Sequence, residues 1–146
     1  MKIRADEHVS RRIIRAIQEV ALSKTFELTH VRDVHERRTA DETWIPRFAS
    51  EGGKAILSGD RRIRARPHQI LALQKSGLVS IFLPAEWANS HRGAQAALLL
   101  YWWSKIEAKI AEATPGECWL VPFDFSKRDL VEFSISYNKV SSVTLR

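Results

Sequence analysis

Met1-Lys2-Ile3-Arg4-Ala5-Asp6-Glu7-His8-Val9-Ser10 is the stretch whose reading decides the fold. Its first five residues alternate between apolar and polar, a period of two that reads as a short strand. The strand ends in an acid pair, Asp6-Glu7. Ser10 follows, a residue whose side-chain oxygen can cap a helix. Beyond it, Ile13, Ile14, Ile17, Val20 and Ala21 recur at helical spacing on one face, with Arg11, Arg12, Arg15 and Glu19 on the other. A strand that runs directly into an amphipathic helix is the repeating unit of an α/β sheet.

The same alternation continues along the chain. Residues 26–31 read as a second strand and 32–38 as a polar loop dense in charge. Thr39 or Ala40 opens a helix with Asp41 and Glu42 in its first turn, where negative charge complements the macrodipole. That helix carries Trp44, Ile45, Phe48 and Ala49, tolerates Pro46 near its start, and stops at Gly52-Gly53. A third strand over 54–58 ends at Gly59-Asp60. The basic stretch from Arg61 to Arg66 leads into a helix over 67–76 closed by Gly77. A fourth strand over 78–83, a long helix over 92–113 and a fifth strand over 117–121 follow. From Phe123 onward the chain alternates through Val131, Phe133, Ile135 and Tyr137, as an added edge strand or a partner-binding extension would. Strands and helices in turn predict an α/β sandwich with a mainly parallel sheet.

A chain of 146 residues suits one domain with a single core, and 45% apolar with 27% charged residues is ordinary for a folded globular protein. The formal charge of +6 and pI near 9.8 favour an anionic partner, although a solvated basic surface would look the same. Cys118 is the single cysteine, so neither an intramolecular disulfide nor a cysteine-based zinc site is expected, and its neighbours Trp119, Leu120 and Val121 mark it as a buried strand thiol. The first residues hold no apolar h-region, and the most apolar run, 94–103, falls far short of the roughly 20 residues that span a bilayer. No signal peptide and no membrane partner are expected, and a cytoplasmic location is. Neither G-x-x-x-x-G-K-[ST] nor G-x-G-x-x-G occurs, which argues against nucleotide-cofactor chemistry.

In an open α/β sheet, functional groups gather beyond the carboxyl ends of the strands, near the point where strand order reverses. Asp6 and Glu7 follow strand one, Asp60 follows strand three, and Asp41 and Glu42 begin the helix that leads into strand three. Three sequence-distant acids are thus expected at one rim. Carboxylates converging this way repel one another unless a cation neutralises them, and hard oxygen ligands suit Mg²⁺, with Mn²⁺ as its substitute. Taken singly, Asp41 and Glu42 are also ordinary helix-start charges, and Asp60 an ordinary turn residue. Asp6 is harder to explain for stability alone, because it ends a central strand.

Three segments together resemble the PIN-like domain family, which includes the VapC-type ribonuclease toxins of bacterial type II toxin–antitoxin systems. They are Ile3-Arg4-Ala5-Asp6-Glu7-His8-Val9-Ser10, then Asp41-Glu42-Thr43-Trp44-Ile45, then Ala55-Ile56-Leu57-Ser58-Gly59-Asp60-Arg61-Arg62-Ile63-Arg64. Pro67-His68-Gln69 and Ala72-Leu73-Gln74-Lys75-Ser76-Gly77-Leu78 extend the likeness, which covers about two-thirds of the chain. It implies a three-layer α/β/α fold over 1–122, with 123–146 as a C-terminal extension. It also implies Mg²⁺- or Mn²⁺-dependent RNA cleavage and a cognate antitoxin as partner. A homodimer stays open. By position, Asp6, Asp41 (or Glu42) and Asp60 would be the metal-binding acids, and Ser58 would orient Asp60 or a water. Many PIN domains carry a further acid soon after the third. Here that stretch is Arg61-Arg62-Ile63-Arg64, so Glu7 is the remaining candidate for a fourth ligand and a non-catalytic, degenerate site is the alternative reading.

Arginine pairs bidentately with phosphate, so Arg61, Arg62, Arg64 and Arg66, next to Asp60, are expected to hold an RNA backbone, with Arg11 and Arg12 extending that surface. His8 is close enough for a proton-transfer or supporting role, although a surface or capping role is the plainer reading of it. On the long helix, Leu98, Leu99, Tyr101, Trp102, Ile106 and Ile110 fall at core spacing. Adjacent Trp102 and Trp103 are not expected to share one core, which would place one of them at an interface.

Overall fold

Ser10 has an extended backbone and its hydroxyl accepts from the Arg12 amide, so α1 (Arg11–Val20) starts where its cap chemistry dictates. Gly77 closes another helix, α4 (Pro67–Ser76), in the left-handed conformation at φ 79°, which a residue without Cβ adopts freely. The computed structural model describes residues 1–34, 40–60 and 62–134. The other elements are β1 (Lys2–Ala5), β2 (Glu27–His30), α2 (Val31–Val34), α3 (Asp41–Ser50), β3 (Gly53–Ser58), a 3-10 turn (Ile63–Ala65), β4 (Val79–Phe82), α5 (Ala85–Ala88), α6 (Arg92–Glu112), β5 (Cys118–Leu120) and β6 (Val131–Glu132).

The strands form one sheet in the order β2-β1-β3-β4-β5-β6, parallel throughout except for β6, which pairs antiparallel with β5. Strand order reverses between β1 and β3. The chain steps outward from β1 to β2, then returns to the other side of β1 and proceeds away. That reversal opens a crevice at the carboxyl ends of the two strands.

Side chains alternate across each strand and divide the core in two. Ile3, Ala5, Leu57, Val79 and Ile81 meet Ile13, Ile14 and Ile17 of α1, Trp87 of α5 and Leu98, Leu99, Trp102 and Trp103 of α6. On the opposite face Ile56, Phe82 and Cys118 meet Trp44 and Phe48 of α3 and Ile70 and Leu73 of α4. The result is a three-layer α/β/α sandwich, as the alternation and the family likeness imply. Burial of Cys118 holds its thiol up at about 11, so it is inert at neutral pH.

The structure corrects several local expectations. Val20 is 74% exposed, because α1 ends there and the chain turns away. The loop expected to begin at Arg32 starts instead with the helical turn α2, and Val31 belongs to it rather than to a strand. His35, Glu36, Arg37, Arg38 and Thr39, and the tail positions Ile135 and Tyr137, lie outside the described residues. Trp102 and Trp103 are both buried in one cluster, at 2% and 1% exposed. Consecutive helical residues diverge by about 100°. Here α1 packs along α6, and Val121 and Leu130 join the same cluster, so the covered arc accommodates both indoles. Tyr101 is the aromatic that faces outward, 54% exposed and stacked on Phe125.

Candidate functional site

Asp6 sits one residue past the end of β1, with its amide still donating to the Leu57 carbonyl of β3 at 3.0 Å. Its carboxylate is buried. Oδ1 accepts from the amides of His8 (3.0 Å) and Gly59 (3.3 Å), and Oδ2 accepts from Ser58 Oγ at 2.5 Å. Ser58 Oγ in turn accepts from the Asp60 amide at 3.2 Å, so one hydroxyl ties the two acids together. Gly59 makes this closure sterically possible: a Cβ there would stand 2.8 Å from the Trp87 ring and 3.2 Å from the His8 carbonyl oxygen. Asp60 Oδ1 accepts from the Arg62 amide at 2.9 Å, while Oδ2 lies 3.7 Å from His8 Nε2 and 3.9 Å from Arg66 Nη1. His8, Asp60, Arg62 and Arg66 border an opening of about 450 Å³.

Desolvation pushes the Asp6 carboxyl up to about 6, and the hydrogen bonds from Ser58 and the two amides, with the charge of His8, offset it only in part. Among the described residues no lysine or arginine reaches Asp6 at ion-pair distance. Asp41, at the first position of α3, accepts from Trp44 Nε1 at 2.8 Å. Burial raises its pKa, the Trp44 bond opposes this, and the like charges of Glu42, Glu7 and Asp60 add to the rise. Asp41 is therefore within electrostatic reach of the Asp60 rim without a direct bond to it.

The structure thus joins Asp6, Ser58 and Asp60 through hydrogen bonds, while the hydrogen bond of Asp41 runs to Trp44. Asp41 and Glu42 both line, with Ile45, Ile63 and Leu73, an apolar opening of about 180 Å³ between α3 and α4. Glu7 turns to Arg32, 3.2 Å away, on the other side of the Asp6–Val9 turn. Among the described residues no three His, Cys, Asp or Glu side chains are grouped so as to hold one metal ion. Mg²⁺ commonly takes only one or two carboxylates and completes its shell with water and substrate phosphate. Asp6 and Asp60 are two hard oxygen donors linked by Ser58, the first without a lysine or arginine partner among the described residues and the second facing Arg66 and His8, a pair that suits a cation with open positions rather than a closed cage.

Of the expected phosphate-binding residues, Arg62 and Arg66 border the Asp60 opening, and Arg11 and Arg12 line a different one at the start of α1. Arg61 lies outside the described residues, and of Arg64 only the backbone, in the 3-10 turn, is described.

Other contributors carried little sequence signal. His30 is buried. Its Nδ1 accepts from the Arg32 amide at 3.1 Å, which leaves the proton on Nε2 to donate to the Val9 carbonyl at 2.8 Å. Desolvation lowers its pKa, so a neutral imidazole fastens the end of β2 to the Asp6–Val9 turn. Trp87, which backs Gly59, is clamped by reciprocal bonds with Gln95: its indole donates to the Gln95 carbonyl and the Gln95 amide donates to the Trp87 carbonyl. Pro84 followed by Glu86 is a helix-start signature that foreshadows α5 and this tryptophan.

A family model described as a PIN like domain matches residues 1–85, from β1 to the start of α5. No curated protein and no solved structure matches the chain.

Proposed function

The chain belongs to the PIN-like domain family, whose members are commonly nucleases and often bind nucleic acid, and from that premise we propose that it is a metal-dependent endoribonuclease, the toxin of a type II toxin–antitoxin pair. One observation carries the catalytic part. At the β1/β3 reversal a buried carboxylate, Asp6, is held by Ser58 and two amides yet left without a full counter-charge, beside Asp60 and two arginines. Asp6 and Asp60 would hold Mg²⁺ or Mn²⁺, with Asp41 contributing negative field. A divalent cation at such a site supplies Lewis acidity that offsets charge on phosphoryl oxygens and makes water nucleophilic at neutral pH.

The chain's own residues do the rest. Ser58 fixes the rotamer of Asp6 and, through the Asp60 amide, the position of the second acid. Arg62 and Arg66 face the same opening and bind the phosphodiester. His8, 3.7 Å from Asp60, is placed to hold a proton at Nε2 beside the acid. Supporting partners of this kind typically change metal affinity or activity by about 10–100-fold when removed. The purified chain with structured RNA and Mn²⁺ is expected to release cleavage products, to stop on chelation, and to lose the activity in Asp6→Asn. Identical behaviour of wild type and Asp6→Asn contradicts the proposal.

A second reading rests on the missing three-acid cluster among the described residues: a non-catalytic module that binds RNA or protein through its basic face. It requires that wild type bind RNA without cutting it in Mn²⁺, and that Asp6→Asn leave that binding unchanged. The antitoxin assignment rests on the family likeness alone, and a short neighbouring reading frame encoding a DNA-binding protein that co-purifies with the chain is its test.

A further inference from the structure

Four arginines from three separate elements converge on one opening of about 510 Å³: Arg11 and Arg12 from α1, Arg32 from α2 and Arg92 from α6. Two of them are compensated, Arg11 by Asp33 and Arg32 by Glu7. Arg12 and Arg92 make no ion pair among the described residues. The placement runs against helix stability. Both α1 and α6 present their positive ends here, neither has an acid in its first turn, and both open with arginine. α3 shows the ordinary pattern, with Asp41 and Glu42 in its first turn. Cations gathered at two positive helix ends are tolerated where an anion arrives to share them.

The opening's position says which anion. Glu7 lines it, His8 lines the Asp60 opening, and the two residues are consecutive in the turn after Asp6. The two basic openings therefore flank the Asp6–Val9 turn at the same rim. We propose that the Arg12–Arg92 opening is a second phosphate subsite, which holds the backbone of an RNA strand some nucleotides away from the phosphodiester at Asp60. The inference rests on the nuclease reading and adds the path of its RNA substrate, which crosses the turn after Asp6. It also gives a role to Arg92, which lies beyond the matched segment 1–85.

The test is fluorescence anisotropy of a labelled oligouridylate about a dozen nucleotides long, titrated with the full chain at several salt concentrations. Arg12→Ala and Arg92→Ala, both at exposed positions, are each expected to weaken binding severalfold and to reduce the slope of log affinity against log salt by about 0.7 for each phosphate no longer neutralised. Arg15→Ala, on the same helix but outside the opening, is expected to keep the wild-type slope. Unchanged slopes in Arg12→Ala and Arg92→Ala overturn the subsite even if cleavage by wild type stands. So does tight capture of a polyglutamate peptide by wild type, abolished in both variants, when RNA affinity is unaffected; that result assigns the opening to an acidic protein partner.

Discussion

Asp6 and Lys109 each leave only 7% of their surface exposed, the carboxylate deep at the sheet rim and the ammonium near the surface beside two exposed acids, and their surroundings treat them in opposite ways. Lys109 on α6 loses solvation, but its ammonium lies 3.1 Å from Glu112 and 3.3 Å from Asp129 and 4.0 Å above the Trp119 ring, and the hydrogen bonds to the two acids hold its pKa above the ordinary value. Its charge is balanced by the fold. Asp6 receives neutral donors from Ser58, Gly59 and His8, and these do not overcome desolvation. A structural charge brings its counter-charge from the chain. On the proposed reading, the counter-charge that Asp6 lacks comes from outside the chain.

That contrast can be broken most directly at Asp6. Removing one oxygen donor in Asp6→Asn is expected to cost several kcal/mol of transition-state stabilisation, about a thousandfold in RNA cleavage rate measured under single turnover. An effect of only a few fold would mean that the buried acid has no catalytic part.

The pH dependence of stability sharpens the same point. In metal-free protein the Asp6 carboxyl is raised to about 6 from an ordinary 3.8, so the folded state binds the proton more tightly than the unfolded chain. Its stabilising contribution is present below the ordinary value and lost as pH rises through about 6, at most about 3 kcal/mol in all. Urea unfolding of wild type and Asp6→Asn across that window should therefore show the variant gaining on wild type as pH rises. Parallel curves would show that Asp6 carries no such penalty.

Ser58→Ala comes next. It leaves the Asp60 amide without its acceptor and Asp6 without its shortest hydrogen bond, and about a 10–100-fold loss in Mn²⁺ affinity is expected by calorimetry. Lys109→Met has the smallest effect, about 1 kcal/mol in urea unfolding, because both acids it leaves are solvent-accessible. RNA cleavage by Lys109→Met should equal wild type.

Much of the frame could be read in one dimension because its signals are local. Ser10 caps α1, Pro67 and Gly77 bound α4, and Asp6 and Asp60 each follow a strand in chain order. What escaped depends on segments far apart in sequence. The depth at which Trp102 and Trp103 both disappear depends on α1 and on the segment after β5. His30 becomes an anchor only because β2 lies beside β1, which brings it to Val9. Arg92 joins Arg12 only where two helix ends meet, and no spacing rule records that meeting. Glu7, the reserve ligand by position, turns to Arg32, which stands in the helical turn α2 where the polar sequence reads as a loop.

On the proposed reading, Asp6 awaits a divalent cation. Calorimetric titration of the metal-free chain with Mn²⁺ near neutral pH, beside Asp6→Asn and Lys109→Met, tests it most directly. Binding by wild type and Lys109→Met that is absent in Asp6→Asn is the result expected. Equal binding by all three, or binding by none, contradicts the account.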